Sequence, residues 1–420
     1  MFVCGCWFFL ASCTPAGAKG FLVGSKMCSL TSGFHWVPAR ADDVAAAACP
    51  AWPARTWPKR RCAAGQQLFD FHPGDSSSSN CNKRWWHHTA LSQQEFARVL
   101  DGRTLRIIGD SVSLAHYRYL TGCVLNCSNP TQPITSRMQR QWSHELAKTG
   151  HDAHAIEWAT KLLKVAAAKD GYASGCAVGR GRVDFRRVDV LPGTERWHKH
   201  NTTHAAVVAA FMEVLISLPA DRALSRRDIV LINFGLHLSH KLRGMVLGML
   251  KWWQSFQSAP RLLWRENSPQ HWPLAPSGKY RAHDDVRATA SAPCKAVPES
   301  LGSSQAAADT LAYYDQNMSS TVRQLALAMR SATRSSRSDT TLNHAPRFSV
   351  LPVFAASWER YEDHPPLHDG ALSLSVKQMA ELRGPNGTHL EDCTHQCVPG
   401  STLRFWTQTL LAWLSGQALE

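Results

Sequence analysis

A chain of 420 residues with 44% hydrophobic and 19% charged residues has ordinary globular composition, which excludes a fibrous or intrinsically disordered protein and fits one large domain or two smaller ones. The formal charge of +14 favours an anionic neighbour such as acidic polysaccharide or a membrane surface. Nucleic acid is not indicated as a partner, because Lys and Arg are scattered, with only short clusters such as Lys59-Arg60-Arg61, and no zinc-finger or nucleic-acid signature is present.

In chain order, residues 1–18 come first. An apolar block around Trp7-Phe8-Phe9-Leu10 precedes Pro15 and the small residues Ala16-Gly17-Ala18. It is too short to span a bilayer comfortably and matches the core of a signal peptide or a short anchor. Membrane association is therefore expected through the N-terminus only. Three of the thirteen cysteines (Cys4, Cys6, Cys13) fall in this block, and the remaining ten allow five disulfides in an oxidising compartment. The sequons at Asn126, Asn201, Asn317 and Asn386 point the same way, to the secretory pathway: the Golgi or the extracellular space. The i,i+4 pairs Cys123/Cys127 and Cys393/Cys397 lack a consistent Cys/His ligand pattern around them, so disulfides are preferred to a metal site.

Residues 19–98 are rich in Cys, Trp, Pro and Arg without long periodic segments. A loop-dominated, disulfide-tied region wrapping the main domain is expected there. From residue 99 to 420, strand-like and helix-like segments alternate, which predicts an α/β domain with a mostly parallel sheet. The strand candidates are Leu105–Ile108, Arg182–Val190, Asp228–Phe234, Arg261–Arg265 and Phe348–Phe354. The helix candidates are Ser113–Cys123, His204–Leu218, Lys241–Phe256, Ala306–Ala332 and Leu403–Leu414.

The junction Ile108-Gly109-Asp110-Ser111-Val112 carries the most chemistry. A serine just after a buried strand, at the start of a helix, meets free backbone N–H groups and a partial positive charge that favour an oxyanion beside it. A second copy, Gly74-Asp75-Ser76, lies in a serine-rich stretch and reads as a flexible loop with no apolar strand feeding it. Ser111 is therefore the candidate nucleophile. Asp392-Cys393-Thr394-His395 offers a base, His395, and a carboxylate to orient it, Asp392. In open α/β sheets function gathers at the carboxyl ends of strands. At such an end Asn233-Phe234-Gly235 offers an amide donor beside a glycine that permits close approach, or else an asparagine completing a turn. After the next strand, Arg265-Glu266-Asn267-Ser268-Pro269-Gln270-His271 either binds a sugar or acyl donor or buttresses the sheet. Asp110, Asn233, Gly235, Arg265 and His271 are thus the candidates for oxyanion or substrate contact.

Together these blocks, with Trp264-Arg265-Glu266 and the ending Asp392-Cys393-Thr394-His395-Gln396-Cys397-Val398-Pro399-Gly400, resemble the PC-esterase group of the SGNH (GDSL-type) hydrolase superfamily, which includes the plant trichome birefringence-like proteins. The resemblance implies a three-layer α/β/α domain and a triad of Ser111, His395 and Asp392, with Asn233 and the Ser111 backbone N–H in the oxyanion hole. It also implies polysaccharide O-acetyl transfer through an acyl-serine, or acyl ester hydrolysis. No bound cofactor is expected; an acetyl donor is a cosubstrate and a polysaccharide or oligosaccharide the acceptor. Where plant members carry Arg-Asn shortly after the serine block this chain has Leu114-Ala115, and where they commonly carry Trp after the histidine it has Gln396. The other classes kept open are a carbohydrate acetyl esterase and a noncatalytic glycan-binding wall protein. The tryptophans, sixteen in all with pairs at Trp85-Trp86 and Trp252-Trp253, suit stacking on sugar rings or large anchors in the core.

Overall fold

The computed structural model describes residues 91–127, 136–148, 175–187, 224–233, 259–268, 348–351, 360–364 and 395–415, four short strands before residue 74, and single residues between these segments. Those early strands are β1 (Gly20–Val23) and β2 (Lys26–Ser29), an antiparallel pair, and β3 (Phe34–Pro38), which pairs antiparallel with β4 (Phe69–Pro73). The rest of residues 19–90 lies outside the described residues. β4 also feeds straight into Gly74-Asp75-Ser76, so the second serine copy does have a strand before it, contrary to expectation. Its serine lies outside the described residues, as do residues 1–18.

The main body begins with α1 (Gln93–Val99), capped by Ser92, whose hydroxyl accepts from the Glu95 N–H at 3.2 Å. The expected domain boundary at residue 98/99 cuts this helix. Phe96 and Val99 are buried and the helix packs on the C-terminal helix described below, so it belongs to the main body. β5 (Thr104–Gly109) follows, then α2 (Ser111–Arg118), which runs into a π-helical turn over Tyr119–Val124. α3 (Ser136–Ala147) was not anticipated, and neither was the short β6 (Cys176–Val178) that forms a hairpin with β7 (Gly181–Arg187). β8 (Ile229–Asn233), β9 (Arg261–Arg265), β10 (Phe348–Leu351) and α4 (Ser401–Leu414) complete the regular elements. The predicted helix Ala306–Ala332 lies outside the described residues, whereas residues 210, 212, 213 and 216 of His204–Leu218 are helical.

The six-stranded sheet has the order β10-β9-β8-β5-β7-β6, parallel throughout except for the β6–β7 hairpin. This is an α/β fold. Every residue of β5 and β8 is buried; β8 reads as a continuous apolar run, and β5 does so except at Arg106, whose charge is paired. Counting the parallel strands in chain order, the sheet reads 2-1-3-4-5 from β7 to β10, so the order in which strands are added reverses between β5 and β8. A crevice opens outside the carboxyl ends of strands at such a reversal. Gly109 and Asn233, the last residues of β5 and β8, are direct register partners there.

Polar residues inside this sheet are tied. Arg106 donates to the Asp184 carboxylate at 2.9 Å with both side chains about 2% exposed, and Arg182 and Arg186 flank the same carboxylate. Asp228 stitches the amino ends of β5 and β8 by accepting from the Thr104 N–H at 2.6 Å. Cys127 is bridged to Cys176, joining the end of the π-helical turn to β6, and Cys123, Cys294 and Cys397 are disulfide-bonded as well. No helix among the described residues is long and apolar enough to cross a membrane.

α4 follows directly on the segment that carries His395. Leu403, Phe405, Trp406, Leu410 and Leu411 are almost fully buried, on more than one face, as expected of a helix enclosed by protein. Burial of each such side chain contributes about 1.5–3 kcal/mol relative to exposure. Thr407 and Thr409 hide their hydroxyls by donating to the Leu403 and Phe405 carbonyls at 2.8 Å. α4 packs on α1 and α2, and Trp36 of β3 meets Phe405 edge-on with centroids 5.8 Å apart.

Candidate active site

Ser111 is the first residue of α2, immediately beyond the turn that ends β5. The turn is fixed by Asp110, whose Oδ1 accepts from the Val112 and Ser113 N–H groups at 3.0 and 3.2 Å. It satisfies two of the donors a helix start leaves open and places a carboxylate at the positive end of the helix. Gly109 is required by packing rather than by its backbone angles. A Cβ there would lie closer than 3.0 Å to Ser113 Oγ and to the Asn233 carbonyl oxygen. The strand can thus meet the helix closely enough for Ser111 to face the carboxyl edge of the sheet.

His395 reaches this serine from the far end of the chain. Its Nε2 lies 2.7 Å from Ser111 Oγ across 284 residues of sequence, a hydrogen-bonding distance suited to proton transfer. The segment bearing His395 is itself pinned. His364 donates from Nδ1 to the His395 carbonyl at 2.6 Å, and the Cys397 N–H donates to the Asp363 carbonyl at 2.7 Å. The Asp363 carboxylate, fully buried, accepts from the Thr402 N–H and hydroxyl at 2.6 and 2.7 Å and from Arg360 at 3.1 Å. It supplies the negative charge that the start of α4 lacks, since Gly400 has no side chain to cap it. Gln396, buried beside the base, donates from Nε2 to Ser268 Oγ at 3.1 Å and ties the segment to the loop after β9.

Neither the models of known protein families nor the curated proteins give a match to this chain.

The other site residues divide into three groups. Asp392, Gly235 and His271 lie outside the described residues. Asn233 sits at the end of β8 beside Gly109, but its Nδ2 donates to the Arg265 carbonyl at 2.7 Å and to Asn267 Oδ1 at 3.0 Å. An amide nitrogen carries two hydrogens. Both are committed within the protein, so Asn233 buttresses the switch point here instead of offering its amide to an oxyanion. Asp110 and Arg265 form the third group, and for Arg265 burial favours the second of its two readings, a buttress of the sheet. Both are buried, at 0% and 1% exposure, and their described side-chain hydrogen-bond partners are protein groups around the first turn of α2.

Arg265 donates from Nη2 to Ser113 Oγ at 3.2 Å, and its guanidinium lies 4.3 Å from the ring centroid of Trp406. Burial pushes its pKa down to about 10, with the Asp110 charge opposing. It stays a cation at neutral pH. Beside it, His116 is fully buried and meets Trp406 edge-on at 5.7 Å. Burial, reinforced by the Arg265 charge, holds the imidazole well below its usual 6.5. The pattern of the sequence gave no sign of Ser113, His116, Asp363, His364 or Trp406 as parts of the site. Only the closeness of Ser113 to Ser111 offered a hint, and the others join it through folding alone.

Proposed function

We propose that the protein is a serine-dependent acyltransferase, an O-acetyltransferase acting on a glycan hydroxyl through an acyl-serine intermediate. The reading takes the fold to be the three-layer SGNH arrangement and the compartment to be secretory. One observation carries it: Ser111 Oγ and His395 Nε2 lie 2.7 Å apart at the switch point of a mostly parallel sheet. A nucleophile within hydrogen-bonding reach of a base, at a helix start, in the crevice such sheets use for ligands, is the arrangement that acyl transfer needs.

The chemistry follows from the pair. His395 Nε2 takes the Ser111 hydroxyl proton as Oγ attacks the acyl carbonyl carbon, and the negative charge that develops on the carbonyl oxygen lies near the start of α2. Collapse of this intermediate expels the donor's leaving group, which receives the proton from His395. The acceptor hydroxyl then loses its proton to His395 while attacking the acyl-serine, and Ser111 leaves with that proton restored. With Asn233 committed elsewhere, backbone N–H groups at the turn are the natural oxyanion donors. Asp392 has the role of orienting the imidazole. Trp-rich composition and a charge of +14 support a glycan acceptor.

The test is mass spectrometry of neutral and acidic oligosaccharides incubated with the full chain and an aryl acetate donor, with free acetate measured in parallel. Acetylated oligomers are expected with the native protein and not with Ser111→Ala. Free acetate without acetylated sugar replaces the transferase by an esterase. Neither product, with sugar binding retained, replaces both by a noncatalytic binding protein.

A further inference from the structure

Arg265 makes three contacts that no single element of the site accounts for. Its Nη2 donates to Ser113 Oγ at 3.2 Å, in the first turn of α2 beside Ser111. Its guanidinium lies 4.3 Å from the Trp406 ring in α4, the helix that continues the His395 segment. Its main-chain carbonyl accepts from Asn233 Nδ2 at 2.7 Å, at the end of the strand that pairs with Gly109. One residue therefore touches the helix of the nucleophile, the helix that anchors the base, and the strand beside them.

As a purely stabilising device this arrangement is poor. A guanidinium at 1% exposure gives up its hydration, and its Nη1 has no hydrogen-bond partner. Among the described residues no carboxylate is hydrogen-bonded to it; its polar partner is a hydroxyl. A well-packed apolar side chain in such a place is often as stabilising or more so. What an apolar chain lacks is direction. The guanidinium donates from Nη2 to Ser113 and lies over the Trp406 ring at once, two contacts that couple α2 to α4.

We infer that Arg265 is a positioning residue that locks the first turn of α2 to α4, so that Ser111 Oγ and His395 Nε2 stay within hydrogen-bonding reach. This rests on the reading of Ser111 as nucleophile. Displacement of reacting groups by about 1 Å lowers rates about 100-fold, so small rotations of either helix matter.

The experiment uses the full chain and a fluorophosphonate probe, which needs no knowledge of the natural acceptor. Ser111 Oγ forms a bond to phosphorus, fluoride leaves, and His395 takes the hydroxyl proton. Labelling constants and thermal melts are compared for the native protein, Arg265→Met, Arg265→Lys and Ser113→Ala. Arg265→Met is expected to lower the inactivation rate constant about 100-fold while probe affinity holds. Arg265→Lys is not expected to restore it, because a compact ammonium lacks the extended, several-donor guanidinium that reaches Ser113 while lying over the Trp406 ring. Ser113→Ala removes one arm and is expected to lower the rate about fivefold to tenfold. Native labelling rates in an Arg265→Met protein that melts lower would make Arg265 merely structural and overturn the inference. If that variant does not fold, an unchanged rate in Ser113→Ala overturns it. A native protein that is not labelled at Ser111 removes the nucleophile reading, and this inference with it.

Discussion

Ser111 and His395, the two halves of the proposed catalytic pair, are held in opposite ways. The turn bearing Ser111 organises itself: Asp110 caps the Val112 and Ser113 N–H groups, and the Leu114 N–H donates to the Asp110 carbonyl at 2.9 Å. The segment bearing His395 borrows its geometry. Its anchors are His364, 31 residues away, and Ser268, which Gln396 reaches across 128. A short motif can therefore place Ser111, whereas His395 is in place only after distant parts of the chain have packed. Damage to the first region should act locally and abruptly. Damage to the second should act through stability and the placement of one imidazole.

The largest effect is expected at the self-organised turn. Gly109→Ala inserts a methyl group against Ser113 and the main chain at Asn233, where no flexible side chain can give way on the Asn233 side. Overpacking of this kind costs about 1–3 kcal/mol, and here relief comes by pushing β5 away from β8 or rotating α2. Fluorophosphonate labelling of Ser111 should fall by at least about 100-fold even where the protein still folds. A Gly109→Ala protein labelled at the native rate would show that the close contact does not set the serine.

Asp363→Ala probes the borrowed region. It removes the acceptor of the Thr402 N–H and hydroxyl and leaves Arg360, 4% exposed, without its 3.1 Å partner. Glu362 still faces Arg360 at 3.4 Å, so the loss should lie at or below the roughly 3–5 kcal/mol of a fully stranded buried charge. Urea unfolding should register this loss, and turnover should fall more than substrate affinity because the His395 segment loosens. Asp363→Asn keeps an acceptor oxygen and should recover part of both. Equal loss in the two variants would mean that the charge at the start of α4, not the hydrogen bonds, carries the effect.

The same contrast explains what could be read from the sequence. Leu105–Ile108 and Arg261–Arg265 were legible because buried parallel strands are short apolar runs with turn residues behind them. Leu403–Leu414 was legible as an apolar helix, and Ser111 and His395 as motif residues. Asn233 was found in position but not in role, since the direction of an amide depends on neighbours such as Asn267 that only folding supplies. Sequence alone leaves Arg265 between binding a substrate and buttressing the sheet, because the Trp406 ring it lies over comes from another element. Asp363 and His364 had no local pattern at all. Their work is done on backbone atoms of residues 395–402.

His116 joins the two regions and gives the smallest, most specific test. It sits on α2, its ring edge-on to Trp406 of α4, with both nitrogens buried and without a hydrogen-bond partner. The folded protein holds it neutral, with a pKa well below 6.5, because of burial and then the nearby Arg265 cation. In the unfolded chain it takes up a proton as the pH falls below about 6.5. The unfolded state then binds more protons than the folded one, so this group contributes stability above that pH and the contribution is lost as the pH falls. The slope reaches at most about 1.4 kcal/mol per pH unit for one proton. His116→Leu removes the titrating group and two unpartnered polar atoms while filling similar space. Urea unfolding at roughly pH 7.5 and roughly pH 5 should therefore show a smaller acid loss in the variant, with stability near or above the native value at the higher pH. If native protein and variant lose stability in parallel on acidification, His116 is already protonated or solvated in the folded state. The dry contact between α2 and α4 that also holds Arg265 would then have to be redrawn with water inside it.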